Sequence, residues 1–215
     1  MISILVADDH VLVRMGLVRM LSDVDDYRVV GEAQTGEEAV IMARSLKPEI
    51  ILMDVKMPGI GGLEATRKII QHNPHVKIIA VTSIADDMFP ERLMNAGACG
   101  YLTKEAGFDE IIKAINSVRA GIPYMSANVA QQLALRSCGF LKGGGSPFES
   151  LSERELQTAI MVANGVKAPS IADAFCVSPK TINSYRYRIF EKLNINSDVE
   201  LTILALKHKL LDIED

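Results

Sequence analysis

Ile50-Ile51-Leu52-Met53-Asp54-Val55-Lys56-Met57-Pro58-Gly59 is the stretch that decides the fold. Four consecutive apolar residues end on a carboxylate, and a Pro-Gly turn follows. An apolar run without alternation fits a strand buried on both faces, as in parallel sheets covered by helices. Three other runs have the same form. Ile2 to Ala7 ends on Asp8-Asp9, Ile78-Ile79-Ala80-Val81 ends on Thr82, and Tyr101-Leu102 leads through Thr103 to Lys104. Each run delivers a polar group at its C-terminal end, which is where open parallel sheets bind ligands.

Working outward, the pattern predicts strands near 2–7, 27–32, 50–53, 77–82 and 100–103. Helices are expected between and after them, near 11–22, 35–46, 62–72, 87–96 and 108–120. This alternation predicts an α/β fold, a flavodoxin-like (βα)5 unit with sheet order 2-1-3-4-5. That order brings the ends of the first, third, fourth and fifth strands together. Thr35 with Glu38 reads as a capping box at the second helix.

The pattern changes after Gly121-Ile122-Pro123. Residues 126–137 fit one helix, and Gly143-Gly144-Gly145-Ser146-Pro147 reads as a flexible hinge. The expected organisation is a first domain over 1–122, a linker over 123–147 and an all-helical module over 148–215. In that module, Ser152 with Glu155 caps a helix running to about Asn164, stopped by Gly165. A short helix is expected over 168–175, with Pro169 tolerated in its first turn. Ser178 and Pro179 suit the N-cap and first position of a helix reaching about Leu193. Ser197 with Glu200 opens the last helix.

Bulk properties narrow the function. The 215 residues carry a formal net charge of −4. The segments 1–125, 126–146 and 147–215 hold net −4, +2 and −2, so a nucleic-acid site must be a local patch. Cys99, Cys138 and Cys176 are far apart and lack metal-type spacing, which fits a reducing cytoplasmic compartment. The first residues run directly into a strand pattern, so no signal peptide is expected, and no apolar run approaches the ~20 residues of a membrane span.

Three carboxylates, a hydroxyl and an ammonium at adjoining strand ends suit a divalent metal beside a carboxylate that carries phosphate. Phosphoryl transfer asks mainly for positioning and charge neutralisation. Asp9 and Asp54 are expected as direct Mg²⁺ ligands, with Asp8 orienting a metal-bound water or binding through one. The backbone carbonyl of Lys56 adds an oxygen. Lys104 pairs with the phosphoryl group, and Thr82 donates its hydroxyl to it. Taken singly, each has an ordinary reading: an Asp as helix cap, a Lys as solvated surface, a Thr as strand residue. Their joint placement is what argues for chemistry. His10 follows the acidic pair and is placed to contact it, with a turn or helix-start role the preferred reading. Asp86 and Asp87 read as tuning the phosphate lifetime or capping the fourth helix.

Asp8-Asp9, Asp54 with Met57-Pro58-Gly59, Thr82 and Tyr101-Leu102-Thr103-Lys104 resemble the receiver domain of two-component response regulators. The resemblance implies that Asp54 takes phosphate from a sensor histidine kinase. It also implies that Thr82 and Tyr101 form the switch, Thr82 moving toward the phosphate and Tyr101 turning inward.

The stretch 168–193 reads as helix-turn-helix. On its second helix Ile182, Tyr185, Ile189 and Leu193 share one face, and Lys180, Asn183, Ser184, Tyr187 and Arg188 the other. Lys180, Arg186, Arg188 and Lys192 against Glu191 give the helix a charge of +3. Such a helix suits the major groove, although an ordinary amphipathic surface helix has the same pattern. Arg186 falls near the apolar face, reaching either a DNA phosphate or an acid such as Glu155.

Leu151-Ser152-Glu153-Arg154-Glu155-Leu156, Gly165, Ile171-Ala172, Thr181-Ile182-Asn183 and Lys192-Leu193 resemble the LuxR-type helix-turn-helix. Receiver plus module is similar to the NarL/FixJ class. Ser178 to Arg188 and Asp198 to Thr202 are closer still to its GacA/UvrY branch. Lys167-Ala168-Pro169-Ser170 departs from the usual pattern by its proline.

The resemblance implies a phosphorylation-activated regulator of double-stranded promoter DNA, by resemblance that of small regulatory RNAs. Lys180, Thr181, Asn183, Ser184, Tyr187, Arg188 and Lys192 are the expected DNA contacts. A homodimer is the expected active form, through Leu201, Leu204 and Ala205 unless these are core, the slightly preferred reading for Leu201 and Leu204. Phosphate is expected to release or dimerise the helical module. An aspartyl-phosphate hydrolase is the rival, but it would carry an Asp two positions after the nucleophile, where this chain has Lys56. A third reading, a receiver whose helical tail binds protein, fits the outer-face polar set less well. The chain is therefore expected not to be an enzyme.

Overall fold

The computed structural model describes residues 1–82, 89–138, 146–208 and 210–211, without the side chains of Arg136 and Ser137. Asp86, Asp87 and the Gly143–Gly145 hinge lie outside the described residues. The chain divides into two compact units, Met1–Gly143 and Gly144–Asp215.

The first unit alternates β1 (Ile2–Ala7), α1 (Val11–Ser22), β2 (Tyr27–Ala33), α2 (Gly36–Leu46), β3 (Ile50–Asp54), α3 (Gly61–His72), β4 (Lys77–Thr82), α4 (Phe89–Asn95), β5 (Gly100–Thr103) and α5 (Phe108–Arg119). The order is that expected. One addition appears in the segment expected as linker: β6 (Tyr124–Met125), followed by α6 (Ala127–Ser137). The sheet is all parallel, ordered β2-β1-β3-β4-β5-β6. Two residues are too few for hydrophobic periodicity to register, so β6 escapes a sequence reading. It forms because Tyr124 and Ser126 donate backbone N–H groups to the Cys99 and Tyr101 carbonyls on the open side of β5.

β3 is buried along its whole length, as its unbroken apolar run requires. Ile4, Val6, Ile50, Leu52, Ile79, Val81 and Leu102 from the central strands pack with Leu17, Leu21, Ile111 and Ile115 from α1 and α5. This core fixes the strand ends that carry the polar groups.

The second unit contains a 3-10 turn (Pro147–Ser150), then α7 (Glu153–Ala163), α8 (Ala168–Phe175), α9 (Pro179–Leu193) and α10 (Asp198–Lys207). Its core joins Phe148, Leu156, Ile171, Phe175, Ile182, Ile189 and Leu201. Ser152 and Glu155 form the full reciprocal capping box. The other two boxes differ by one residue. Thr35 and Ser197 accept from the Glu38 and Glu200 N–H, but those glutamates accept from Gln34 and Asn196, one residue before the cap. Pro169 lies in the first turn of α8, and Ser178 caps α9 through the Thr181 N–H. Asn194 ends α9 in the left-handed conformation that asparagine tolerates.

Candidate functional site

The C-terminal edge of the sheet gathers the expected residues. Asp8 and Asp54 are almost fully buried, and Asp9 is more open. Lys104 Nζ lies 2.8 Å from Asp8 Oδ2 and 2.8 Å from Asp54 Oδ2. The other oxygen of Asp54 accepts the Lys56 backbone N–H at 3.2 Å. Thr82 is buried at the end of β4, and its Oγ1 has no hydrogen-bond partner among the described residues. A buried hydroxyl left without a partner is unfavourable unless a ligand completes it. Tyr101 is fully buried in β5.

Electrostatics sharpen this picture. Burial pushes the Asp54 carboxyl up to about 7. The like charge of Asp8 adds to that rise, while Lys104 and the Lys56 N–H oppose it. Burial draws Lys104 down, but Asp54 and hydrogen bonding to Asp8 more than offset it and leave its pKa raised. Lys104 therefore stays cationic. One ligand atom each from Asp8, Asp9, His10 and Asp54 lies within 4.8 Å of the others, a donor set rich in carboxylate oxygen that suits a hard divalent cation.

Sequence reasoning missed the supports behind this edge. Arg14, buried in α1, donates through Nη1 to the Asp8 carbonyl at 2.6 Å and through Nε to Glu32 at 3.2 Å. Its signal was a lone cation within the apolar run Val11-Leu12-Val13-Arg14-Met15. Glu37 accepts the Ile60 N–H with both oxygens, at 3.1 and 3.2 Å, which ties the loop after Asp54 to α2. Gly62 is obligatory for space, because a Cβ there would overlap the Asp54 carbonyl oxygen.

In the second unit, Lys180, Asn183, Ser184, Tyr187 and Arg188 are exposed along α9, with Tyr187 at 73%. Thr181 is half-buried and shares a hydroxyl contact with the Ser178 cap at 2.9 Å. Ser184 donates its hydroxyl to the Lys180 carbonyl.

Lys192 has partners within its own unit. Its Nζ binds Glu155 Oε2 at 2.6 Å and the Ser150 carbonyl at 3.2 Å, so it compensates a buried acid of α7. Burial raises the Glu155 carboxyl, but the bonds from Lys192 and the Ser152 N–H outweigh this and lower its pKa. Arg186 also resolves. It pairs with Asp198 at the start of α10, while Glu155 takes Lys192. Leu201 and Ala205 are core, and the apolar residues that α10 exposes are Val199, Ile203 and Leu206.

Comparison with known proteins matches both units. The response regulator receiver domain model matches residues 4–116, and the model of bacterial regulatory proteins of the luxR family matches 149–205. The chain is similar to the response regulator GacA of Pseudomonas aeruginosa, 57% identical over 212 residues and 99% of both chains. It is 50% identical to the response regulator UvrY of Escherichia coli, over 100% of this chain and 98% of that one. A solved structure, a LuxR-family two-component response regulator from Aurantimonas sp., is 36% identical, with a TM-score of 0.61 over 64% of this chain and 98% of that chain.

Proposed function

The chain belongs to the response regulators that join a receiver to a LuxR-type helix-turn-helix, and from that premise we propose that phosphate on Asp54 governs promoter binding by the C-terminal module. The observation that carries this is Lys104 Nζ, held 2.8 Å from both Asp8 and Asp54 at the strand ends. A fixed ammonium beside an acceptor carboxylate is what an incoming phosphoryl group needs.

Asp54 is the nucleophile. A sensor histidine kinase supplies the phosphoryl group, and the Asp54 oxygen bonds to phosphorus as the bond to the donor histidine breaks. Asp8, Asp9, Asp54 and the Lys56 carbonyl would hold Mg²⁺, which supplies neutralisation of the charge that gathers there. Lys104 leaves Asp54 to pair with the new phosphoryl oxygens. Thr82 then gains the partner its buried hydroxyl lacks, and that gain is the differential affinity a switch requires. Tyr101 lies in the adjoining strand, in register with Ala80, two residues before Thr82. Only the regulator's own phosphate turns over, so the chain is not an enzyme acting on an external substrate.

The DNA-contacting set is Lys180, Asn183, Ser184, Tyr187 and Arg188, with Thr181 acting through the helix cap. Lys192 is left out because Glu155 holds it. The receiver is taken as 1–122, with β6 of the following segment added to its sheet edge beside β5, and the DNA-binding module as 148–215. Activation releases or dimerises that module. A homodimer would use the exposed Val199, Ile203 and Leu206 instead of the buried Leu201. Promoters of small regulatory RNAs are the targets suggested by the likeness to GacA and UvrY. The setting is the cytoplasm. Among the described residues no helix is long and apolar enough to cross a membrane.

The test measures DNA binding by wild type and Asp54→Ala, with and without a small phosphodonor and Mg²⁺. Tighter wild-type binding with an unresponsive variant is the expected result. DNA binding that ignores the phosphodonor in both proteins would sink the phosphate control while leaving the output module standing.

A further inference from the structure

The ring of His10 faces the carboxylate cluster. Its Nδ1 lies 2.8 Å from Asp9 Oδ1 and 3.3 Å from Asp8 Oδ1. Lys104 Nζ approaches the same nitrogen at 3.4 Å while contacting Asp8 and Asp54. Lys104 thus stands as a cation among three of the four groups whose ligand atoms lie within 4.8 Å of one another. Ligands about 2.1 Å from one ion sit roughly 3 Å apart when adjacent and roughly 4.2 Å apart when opposite. The cluster therefore has nearly the size of one coordination sphere, with an imidazole nitrogen in it.

We propose that His10 is a nitrogen ligand of the divalent-cation site, and that it biases the site toward imidazole-seeking ions such as Co²⁺, Ni²⁺ and Zn²⁺ over Mg²⁺. This rests on the phosphoacceptor reading above. Oxygen donors suit Mg²⁺, whereas imidazole suits the later first-row ions, so the bias resides in the one nitrogen of the set. Nδ1 is the ring atom turned to the cluster, within reach of Asp8, Asp9 and Lys104. The ring is reachable, with the side chain 54% exposed. It makes no side-chain capping bond to α1, and the backbone N–H of His10 is already held by Asp8 Oδ1 at 2.8 Å. Removing the ring therefore leaves the start of the helix intact.

The experiment titrates full-length wild type, His10→Ala and Asp9→Asn with Mg²⁺ and with Co²⁺ by calorimetry. Co²⁺-induced shifts of backbone amide signals separate this site from binding at His72, His75 or His208. Wild type should hold Co²⁺ about 100-fold more tightly than Mg²⁺, and His10→Ala should lose about 10-fold for Co²⁺ and less than about 2-fold for Mg²⁺. Asp9→Asn should weaken both ions. Unchanged Co²⁺ affinity in His10→Ala overturns the inference. So does an equal loss for the two ions, which would make His10 a general support. If wild type binds neither ion here, the metal-site reading falls and the inference falls with it.

Discussion

The edge proposed to accept phosphate and the α9 face proposed to meet DNA are built in opposite ways. Asp54 is 2% exposed and has a partner on each oxygen. Tyr187 is 73% exposed, and the residues around it point to solvent. A small ligand with high charge density needs groups fixed before it arrives. A DNA duplex brings its own field and can be met by mobile side chains at modest loss. Substitutions at the first site should therefore disturb chemistry and stability together, and at the second, affinity alone.

The largest expected effect tests the first half of that statement. Asp54→Asn should abolish phosphodonor incorporation, read by phosphate-affinity electrophoresis, while free DNA affinity stays near wild type. Retained incorporation would move the acceptor to another carboxylate. Next comes Gly62→Ala, whose added Cβ would overlap the Asp54 carbonyl oxygen. Overpacking of this kind costs about 1–3 kcal/mol, read as a lower urea midpoint. The same variant should also phosphorylate more slowly, because the loop after Asp54 must shift. An unchanged midpoint would show that the loop gives way freely.

Acidity offers a third test. The folded chain holds the Asp54 proton more tightly than the unfolded chain does, with the carboxyl near 7 against 3.8. Folded protein therefore binds more protons in that window, and metal-free stability falls as pH rises through it. Asp54→Asn removes the penalty. Above pH 7 it should be more stable than wild type by ~1–3 kcal/mol, with the difference fading toward pH 4. Urea midpoints at pH 5 and pH 8 decide this, and equal midpoints at pH 8 would mean Asp54 ionises without strain.

The two regions also differ in how far the sequence revealed them. Strand ends were legible because buried parallel strands are continuous apolar runs, so Asp54, Thr82 and Lys104 could be placed by counting from them. Helix starts were legible through Ser152, Ser178 and Ser197, which cap as their spacing implies. Long-range partners were hidden. Nothing local tells that Arg14 reaches the Asp8 carbonyl or that Glu37 reaches the Ile60 N–H, since each depends on how a helix packs on a strand end. Arg186 and Lys192 were ambiguous for the same reason. A cation on a helix wheel looks identical whether it faces a phosphate or a buried carboxylate.

That ambiguity supplies the smallest and most discriminating test. Lys180 and Lys192 carry the same charge on the same helix, but Lys180 is exposed with its charge toward solvent and Lys192 is bound to Glu155. Lys180→Ala should leave stability within about 0.5 kcal/mol and weaken DNA binding, lowering the slope of log K against log salt by about 1. Lys192→Ala should do the reverse. It leaves the buried Glu155 carboxylate without its cation, which costs about 1 kcal/mol once solvent screening of the half-exposed lysine is allowed for. Its salt slope should match wild type. The Glu155 pKa is lowered chiefly by Lys192, so that stabilisation is present above the ordinary carboxylate range and lost as pH falls below it. The stability gap between wild type and Lys192→Ala should therefore close in acid. A Lys192 variant that instead loses salt slope at constant stability would put that lysine on DNA phosphate and return it to the contact set.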